Sequence, residues 1–80
     1  MKLLYDEFME REENKKLTER ELQVMYYVAE GLNNYEVAER MYLSVHTIKA
    51  HLESIYSKLS VHNKIQALVY AIKNKLINLD

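Results

Sequence analysis

Helix-breaking residues are almost missing from this sequence, and their scarcity restricts its fold more than any other feature. Proline is absent and glycine occurs once, at Gly31. Tight turns between strands commonly use both residues, whereas in a helix interior proline costs about 3 kcal/mol and glycine about 1 kcal/mol relative to alanine. With 49% hydrophobic and 29% charged residues and so few breakers, the chain is predicted to fold as an all-α domain.

The length of the chain limits it to one small domain. A chain of 80 residues buries only about 60% of the surface that it exposes when unfolded, so a partner or ligand would add to its stability. The N-terminal sequence lacks the apolar region of a signal peptide, and no apolar run approaches the roughly 20 residues that span a bilayer. Without cysteine, neither a disulfide nor a thiolate zinc site can form. We therefore expect a soluble, cytoplasmic protein that does not contact a membrane.

Charge is distributed unevenly along the chain, although the net charge is only −1. Residues 1–16 carry four basic and five acidic side chains, residues 17–43 two and five, and residues 44–80 five and two. All three histidines also lie in the last of these segments. A basic C-terminal half suits a negatively charged partner such as nucleic acid, and the small excess predicts modest non-specific affinity.

The first helix has clear start and stop signals. Thr18, followed three residues later by Glu21, matches a capping box, and Leu17 is the hydrophobic residue expected before such a cap. Gly31 is suited to the left-handed conformation that often ends a helix. These signals predict a helix over about residues 19–30.

Three further capping signals predict three more helices. Asn33 and Asn34 are suitable caps for a short helix over about residues 35–42, Ser44 for a third helix and Asn63 for a fourth. The third helix has one narrow apolar stripe, formed by Ile48, Leu52, Ile55 and Leu59. The fourth has apolar residues over more than half of its circumference, which is more than the core requires: Ile65, Ala67, Leu68, Val69, Ala71, Ile72, Leu76 and Ile77.

The face of the third helix opposite its apolar stripe is polar and low in bulk. At about 100° per residue, this face is centred on Ala50 and Ser57 and is flanked by His46, Lys49, Glu53 and Ser54. A helix that enters the DNA major groove, which is about 12 Å wide, needs small residues at the centre of its contact face and long donors at the edge. The short connection from Tyr42 to Ser44 is typical of a helix-turn-helix with the third helix in the position that contacts bases, but any small helical domain has short turns of this kind.

A set of residues between positions 17 and 77 carries a family resemblance: Leu17, Thr18, Arg20, Glu21, Val24, Ala29, Gly31, Asn34, Glu36, Ala38, Ser44, Thr47, Lys49, His51, Ile55, Lys58, Leu59, Val61 and Ala67. With these residues at these spacings, the chain resembles the LuxR/GerE-type DNA-binding domain. The resemblance implies a four-helix, tetrahelical helix-turn-helix domain that binds double-stranded DNA sequence-specifically and regulates transcription. It also implies a dimer on a two-fold operator. The expected partners are double-stranded DNA, a second copy of the chain and RNA polymerase.

The resemblance further implies which residues meet DNA. Lys49 corresponds to the principal donor to base edges, with Ala50 and Glu53 beside it, and His46 lies at the groove edge of the same face. Contacts with the DNA backbone are expected from Thr47, His51 and Lys58, together with the cap residues Asn33 and Asn34. Contacts between two copies are expected from the fourth helix, at Ile65, Val69 and Ile72.

The chain departs from the family pattern at three positions. Tyr35 stands where lysine or arginine is common, and Lys64 stands where arginine is usual, so it lacks the forked geometry of the guanidinium group. Glu53 stands where base-contacting members have lysine or a neutral donor. Glu53 either accepts a hydrogen bond from cytosine N4 or points to solvent and repels phosphates.

The N-terminal residues are expected to lie outside the domain. Residues 1–16 are predicted to be an extension, either a linker or a short helix, and residues 17–80 form the DNA-binding domain. Either this extension is a frayed linker, or it is a short helix whose Leu4 and Phe8 dock on a partner or on the domain itself. The family often joins this domain to a receiver or ligand-binding domain, so the chain is either a fragment or a regulator controlled by abundance, by dimerisation or through residues 1–16.

One rival function remains beside DNA binding. The sequence has no arrangement of nucleophile and base, phosphate loop or metal ligands, so no catalytic residue, cofactor or metal site is expected. The rival is a helical protein-interaction module that docks another protein through acidic residues 17–43 and the apolar fourth helix. The low net charge and Glu53 favour this rival, whereas Thr47, Lys49 and Lys58 favour DNA.

Overall fold

The computed structural model describes residues 16–78, which contain four helices and no strand. The helices are α1 (Glu19–Ala29), α2 (Asn34–Met41), α3 (Val45–Leu59) and α4 (Lys64–Lys73). The predicted all-α, four-helix architecture is therefore confirmed. The linker or short helix predicted for residues 1–16, with Leu4 and Phe8, lies outside the described residues apart from Lys16, so the predicted domain boundary stays a prediction.

Each helix begins at a capping residue. The Oγ1 atom of Thr18 accepts a hydrogen bond from the amide of Glu21 at 3.1 Å, and Oε1 of Glu21 accepts one from the amide of Thr18 at 2.9 Å. A second capping box, absent from the sequence prediction, joins Asn33 and Glu36 through two bonds of 2.9 Å each. The two remaining caps each accept a hydrogen bond from the amide three residues further on, and they are Ser44 and Asn63. Such caps stabilise a helix by about 1 kcal/mol each.

Residues with positive φ follow the first three helices. Gly31 (φ 90°) follows α1, as predicted, whereas Tyr42 and Ser60 (both φ 56°) end α2 and α3. The second helix lies one residue earlier than predicted at both ends, because Asn33 rather than Asn34 is its cap and Tyr42 has already left the helical conformation. A left-handed tyrosine is uncommon, since only glycine enters that region without steric cost.

Helix α3 occupies the centre of the fold and contacts all three other helices. Its predicted apolar stripe is confirmed, because Ile48 and Ile55 are fully buried and Leu52 and Leu59 nearly so. The buried side chains that surround this stripe come from α1 (Val24, Met25, Val28), α2 (Val37, Ala38, Met41) and α4 (Ala67, Ala71). Burying one such aliphatic side chain is worth roughly 1.5–3 kcal/mol, so the stripe is a main source of stability.

Helix α4 is shorter than the apolar pattern suggests. It ends at Lys73, and Leu76 and Ile77 follow in a turn rather than on the helix face where the sequence analysis places them. Lys75 has a φ of 56°, and the amide of Leu76 donates to the carbonyl of Ala71 at 2.8 Å. Ile77 then packs against the core. Part of the apolar excess assigned to α4 therefore belongs to the segment that folds back after it.

Candidate nucleic-acid interface

Three residues, Tyr42 to Ser44, connect α2 to α3. The amide of Leu43 donates to the carbonyl of Ala38 at 2.9 Å, and the Leu43 side chain packs against the core. On the far side of the turn, Oγ of Ser44 accepts from the amide of Thr47 at 3.0 Å and lies 2.9 Å from its Oγ1 atom. These bonds define the end of α2 and the start of α3 on either side of the turn, and the two helices form the predicted helix-turn-helix.

The four residues predicted to contact bases lie together on the outer face of α3. They are spaced by three, one and three residues, and all are exposed: His46, Lys49, Ala50 and Glu53. Rotation by about 100° per residue places this face opposite the buried Ile48 and Ile55. Ser57 continues it, whereas Ser54, expected at its edge, turns inward to hydrogen-bond Glu21. The face is therefore accessible, and whether these side chains contact bases stays a prediction.

The residues predicted to contact the DNA backbone lie on α3 and at the start of α2. Thr47 and His51 are half-buried on α3, Asn33 is exposed, and Asn34 is half-buried at the start of α2. The Nζ atom of Lys64 donates to Oδ1 of Asn34 at 2.7 Å. Lys64, one of the departures from the family pattern, therefore joins the start of α4 to the start of α2.

Lys58, the remaining predicted backbone contact, is paired within the chain. Its Nζ atom lies 2.7 Å from Oε1 of Glu21, and their side chains are 22% and 5% exposed. Ser54 donates to Oε2 of the same carboxylate at 2.7 Å, and the amide of Thr18 donates to Oε1. From the sequence, Glu21 is predicted only as a capping residue, and its contacts with Ser54 and Lys58 are not predicted. A local signal could not find them, because 37 residues separate Glu21 from Lys58.

The pKa of Glu21 reflects these contacts. Burial raises the pKa of the carboxyl group, but the hydrogen bonds from Lys58, the Thr18 amide and Ser54, with the charge of Lys58, together leave the pKa below its ordinary value of 4.5. Donors to the ionised form outweigh desolvation here. The carboxylate is therefore ionised at neutral pH, and a charged contact holds α1 against α3.

Helix α4 buries its two alanines and exposes most of its large residues, although Leu68 packs against the core. Ala67 and Ala71 are fully buried, whereas Ile65 is 76% exposed and Val69 and Ile72 are 44% and 40% exposed. The three large residues recur at i, i+4 and i+7, so they share one face of the helix, opposite the alanines. The residues predicted to join two copies thus form an exposed apolar surface.

Metal ligands, membrane-spanning helices and unpaired buried polar atoms would indicate other kinds of site in residues 16–78. These residues contain no group of three or more histidine, aspartate or glutamate side chains placed to hold a metal ion. In the same part of the chain, each helix is too short or too polar to cross a membrane. Every buried side-chain nitrogen or oxygen atom of these residues has a hydrogen-bond partner.

Comparisons with known proteins agree with this architecture. The family model described as bacterial regulatory proteins, luxR family, matches residues 15–71. The chain is 42% identical over 65 residues to the transcriptional regulatory protein LiaR of Bacillus subtilis (strain 168), which covers 81% of the chain and 31% of LiaR. It is 39% identical over 61 residues to the response regulator protein VraR of Staphylococcus aureus (strain Mu3 / ATCC 700698), which covers 76% of the chain and 29% of VraR. The chain thus spans less than a third of the length of these relatives.

A solved structure shows the same relationship in three dimensions. The crystal structure of ChrA, a response regulator in a heme-sensing two-component system, matches with a TM-score of 0.75 and 37% sequence identity. The match covers 78% of this chain and 31% of the ChrA chain. The region matched by the family model contains α1, α2, α3 and most of α4. The chain therefore belongs to the luxR family of bacterial regulatory proteins.

Proposed function

We propose that this chain binds double-stranded DNA sequence-specifically and thereby regulates transcription, as a dimer on a two-fold operator with α3 in the major groove. Family membership supports this proposal, since LiaR is named a transcriptional regulatory protein and VraR a response regulator protein. The observation that carries it is the outer face of α3, where Lys49 stands beside the small residue Ala50 and both are exposed.

Base recognition is assigned to this face. Ala50 lets the backbone of α3 approach the floor of the groove, and Lys49 reaches acceptors such as guanine O6 and N7. His46 lies one turn earlier, at the groove edge. Glu53 lies one turn later, where it either accepts from cytosine N4 or faces solvent and disfavours nearby phosphates. A preference for cytosine that disappears in Glu53→Gln would select the first role.

Contacts with DNA phosphates are proposed to fix the position of the domain along the duplex. Among residues 16–78, the amides of Asn34 and Tyr35 at the start of α2 have no hydrogen-bond acceptor, and a helix N-terminus attracts anions. Asn33, Thr47 and His51 lie around that end and along α3. Lys58 is assigned a phosphate contact only through the N–H groups that its bond to Glu21 does not use. Such contacts fix position without carrying sequence information.

Dimerisation is assigned to the exposed apolar face of α4. A two-fold contact places the same patch of each copy against its partner, so Ile65, Val69 and Ile72 would pack against their equivalents. The pair would then present two α3 helices to two half-sites, which are about 34–36 Å apart when separated by one turn of DNA. RNA polymerase is the further partner proposed for the DNA-bound dimer.

The test is selection from a genomic fragment library at two salt concentrations, followed by sequencing of the retained DNA. We expect a two-fold motif whose affinity falls as salt rises, because contacts with phosphates release counterions. Lys49→Ala should lose about 10- to 100-fold in affinity for the motif, since one base contact is worth about 1–3 kcal/mol. The control Lys16→Ala removes the same charge from an exposed position before α1 and should keep the motif. A folded Lys49→Ala protein with unchanged preference would exclude Lys49 as the base reader.

The protein-interaction module is the second candidate. The exposure of Ile65 and Val69 favours it, because large apolar patches commonly mark contacts with other proteins. The same selection separates the two functions. If the folded protein enriches no DNA at either salt concentration, docking of another protein becomes the better account of α4.

A further inference from the structure

An open groove of about 700 Å³ lies between α1 and the segment that follows α4. Its apolar lining comes from Leu22, Tyr26 and Tyr27 on one side and from Leu76 and Ile77 on the other. Tyr26 is 45% exposed and Leu76 is 37% exposed. These side chains therefore present apolar surface that the core does not cover.

The groove lies on the side of α1 that faces away from α3. Glu21 marks the side that faces α3, because it contacts Ser54 and Lys58 of that helix. Glu19, Leu22 and Tyr26 are rotated from Glu21 by about 100–160° around α1. An occupant of the groove would therefore leave the outer face of α3 free.

The N-terminal sequence enters the domain beside this groove. The described chain begins at Lys16, three residues before Glu19, which lines the groove. Large apolar residues are concentrated in the first nine positions: Leu3, Leu4, Tyr5, Phe8 and Met9. Leu4 and Phe8 are four residues apart, a spacing that places two side chains on one side of a helical turn.

The connection is long enough to let this apolar cluster reach the groove. Residues 10–15 span up to about 20 Å when extended, at roughly 3.3–3.6 Å per residue. The stretch of α1 from Glu19 to Tyr26 is only about 10 Å long, at roughly 1.5 Å per residue. The tether also holds the cluster at an effective concentration in the millimolar range, which favours it over a separate molecule with the same weak affinity.

We propose that residues 1–9 of the same chain occupy the groove, with Leu4 and Phe8 against Tyr26 and Leu76. The contact covers the exposed apolar surface of both partners and fastens the N-terminal sequence to the face of α1 remote from α3. The N-terminal sequence is thereby held at a defined position beside the domain.

These 80 residues contain no cysteine, which makes a direct test available. Glu10→Cys in the full chain carries a single nitroxide label next to the apolar cluster. We expect the label to reduce the amide NMR signals of Gln23, Tyr26 and Leu76 selectively, while those of His46 and Ala50 on the outer face of α3 keep their intensity. Reducing the nitroxide should restore all signals.

Two further variants of the labelled chain test the assigned contacts. Leu4→Ser with Phe8→Ser should abolish the selective loss, whereas Glu12→Ser with Glu13→Ser, a matched change outside the cluster, should preserve it. The dispersion of the spectrum shows that each variant remains folded. The proposal is overturned if the label affects no signals, affects Ile65 and Val69 instead, or still acts after the Leu4 and Phe8 changes. A selective loss that appears only when labelled chain is mixed with isotope-enriched unlabelled chain would assign the groove to a second copy and equally overturn it.

Discussion

Glu21 is the one charged residue that is buried within the described part of the chain, and it belongs to two structures at once. Its carboxylate accepts from the amide of Thr18 and so caps α1, and it accepts from Ser54 and Lys58 and so binds α3. A buried charge is tolerated only when donors replace the lost water. Removing the carboxylate therefore weakens a helix start and a helix contact together.

The stability contributed by Glu21 should depend on pH. Because its pKa is lowered by folding, the contribution is complete above the unfolded pKa and disappears as pH falls through the folded pKa. At pH 7 we expect Glu21→Gln to reduce the free energy of unfolding by about 1–3 kcal/mol, the usual cost of disrupting a buried polar contact. Urea unfolding followed by circular dichroism from pH 7 to pH 3 should show the difference from the unaltered protein shrinking below about pH 4.5.

A matched control is available in the same helix turn. Glu19 is exposed, so Glu19→Gln should change stability by less than about 0.5 kcal/mol at any of these pH values. A Glu21→Gln deficit that stayed constant down to pH 3 would show that shape, and not ionisation, explains the effect.

Local signals at single residues were predictable, and distant pairings were not. The sequence predicts the caps Thr18, Ser44 and Asn63 because a cap and its amide are three residues apart along the chain. The partner of Lys58 depends on how α1 packs against α3, and no pattern of neighbouring residues encodes that packing. Lys58, which is predicted to contact DNA, thus also binds a side chain of its own chain.

At the scale of single helices, α4 reverses the usual arrangement, because its small side chains are buried and most of its large apolar side chains are exposed. Small buried alanines let α4 approach the core closely, and large residues remain for an outer contact. Apolar periodicity predicted this surplus but extended the helix too far. The pattern continues through Leu76 and Ile77, whereas the left-handed residue Lys75 redirects the chain before them.

A negative charge introduced on the outer face of α4 should dissociate the proposed dimer. Ile65→Glu places like charges across the two-fold contact, so we expect sedimentation to show a monomer and affinity for the two-fold operator to fall at least about tenfold. Stability of the single chain should change by less than about 0.5 kcal/mol, because Ile65 is exposed.

The control for this variant is Gln66→Glu. It introduces the same charge at the neighbouring exposed position and retains an oxygen that can accept from the amide of His62. An Ile65→Glu protein that sediments like the unaltered chain would remove α4 from the dimer contact.

Across the whole molecule, α3 is both the centre of the core and the proposed contact with DNA. Its two faces should therefore be separable by substitution. Ile48→Ala should lower the free energy of unfolding by about 2–5 kcal/mol, a large share of the 5–15 kcal/mol typical of small domains. Measured where the protein remains folded, DNA affinity should stay within a factor of a few, because Ile48 faces away from the outer surface.

The opposite result is expected on the outer face. Ala50→Gln should leave the urea midpoint nearly unchanged while reducing affinity, because a longer side chain keeps the helix from the groove floor. If both substitutions changed affinity and stability in proportion, the proposed division between the two faces of α3 would be wrong.

The fold class was predictable because the scarcity of proline and glycine affects every element of the chain. The apolar stripe of α3 was predictable because its periodicity lies within a single helix. The relative placement of α1 and α3, and hence the groove and the Glu21 cluster, required the assembled molecule. The contact residues on DNA remain predictions, because base contacts depend on the operator sequence as well as on the exposed side chains of this chain.

The central position of α3 also restricts how this protein can be controlled. In many regulators a signal orders or melts the segment that meets the target. Here the proposed reading helix contains Ile48 and Ile55, both fully buried, so melting α3 would dissolve the core. A signal must therefore act while α3 stays folded. It can cover the outer face of α3, uncover that face or change how two copies are joined.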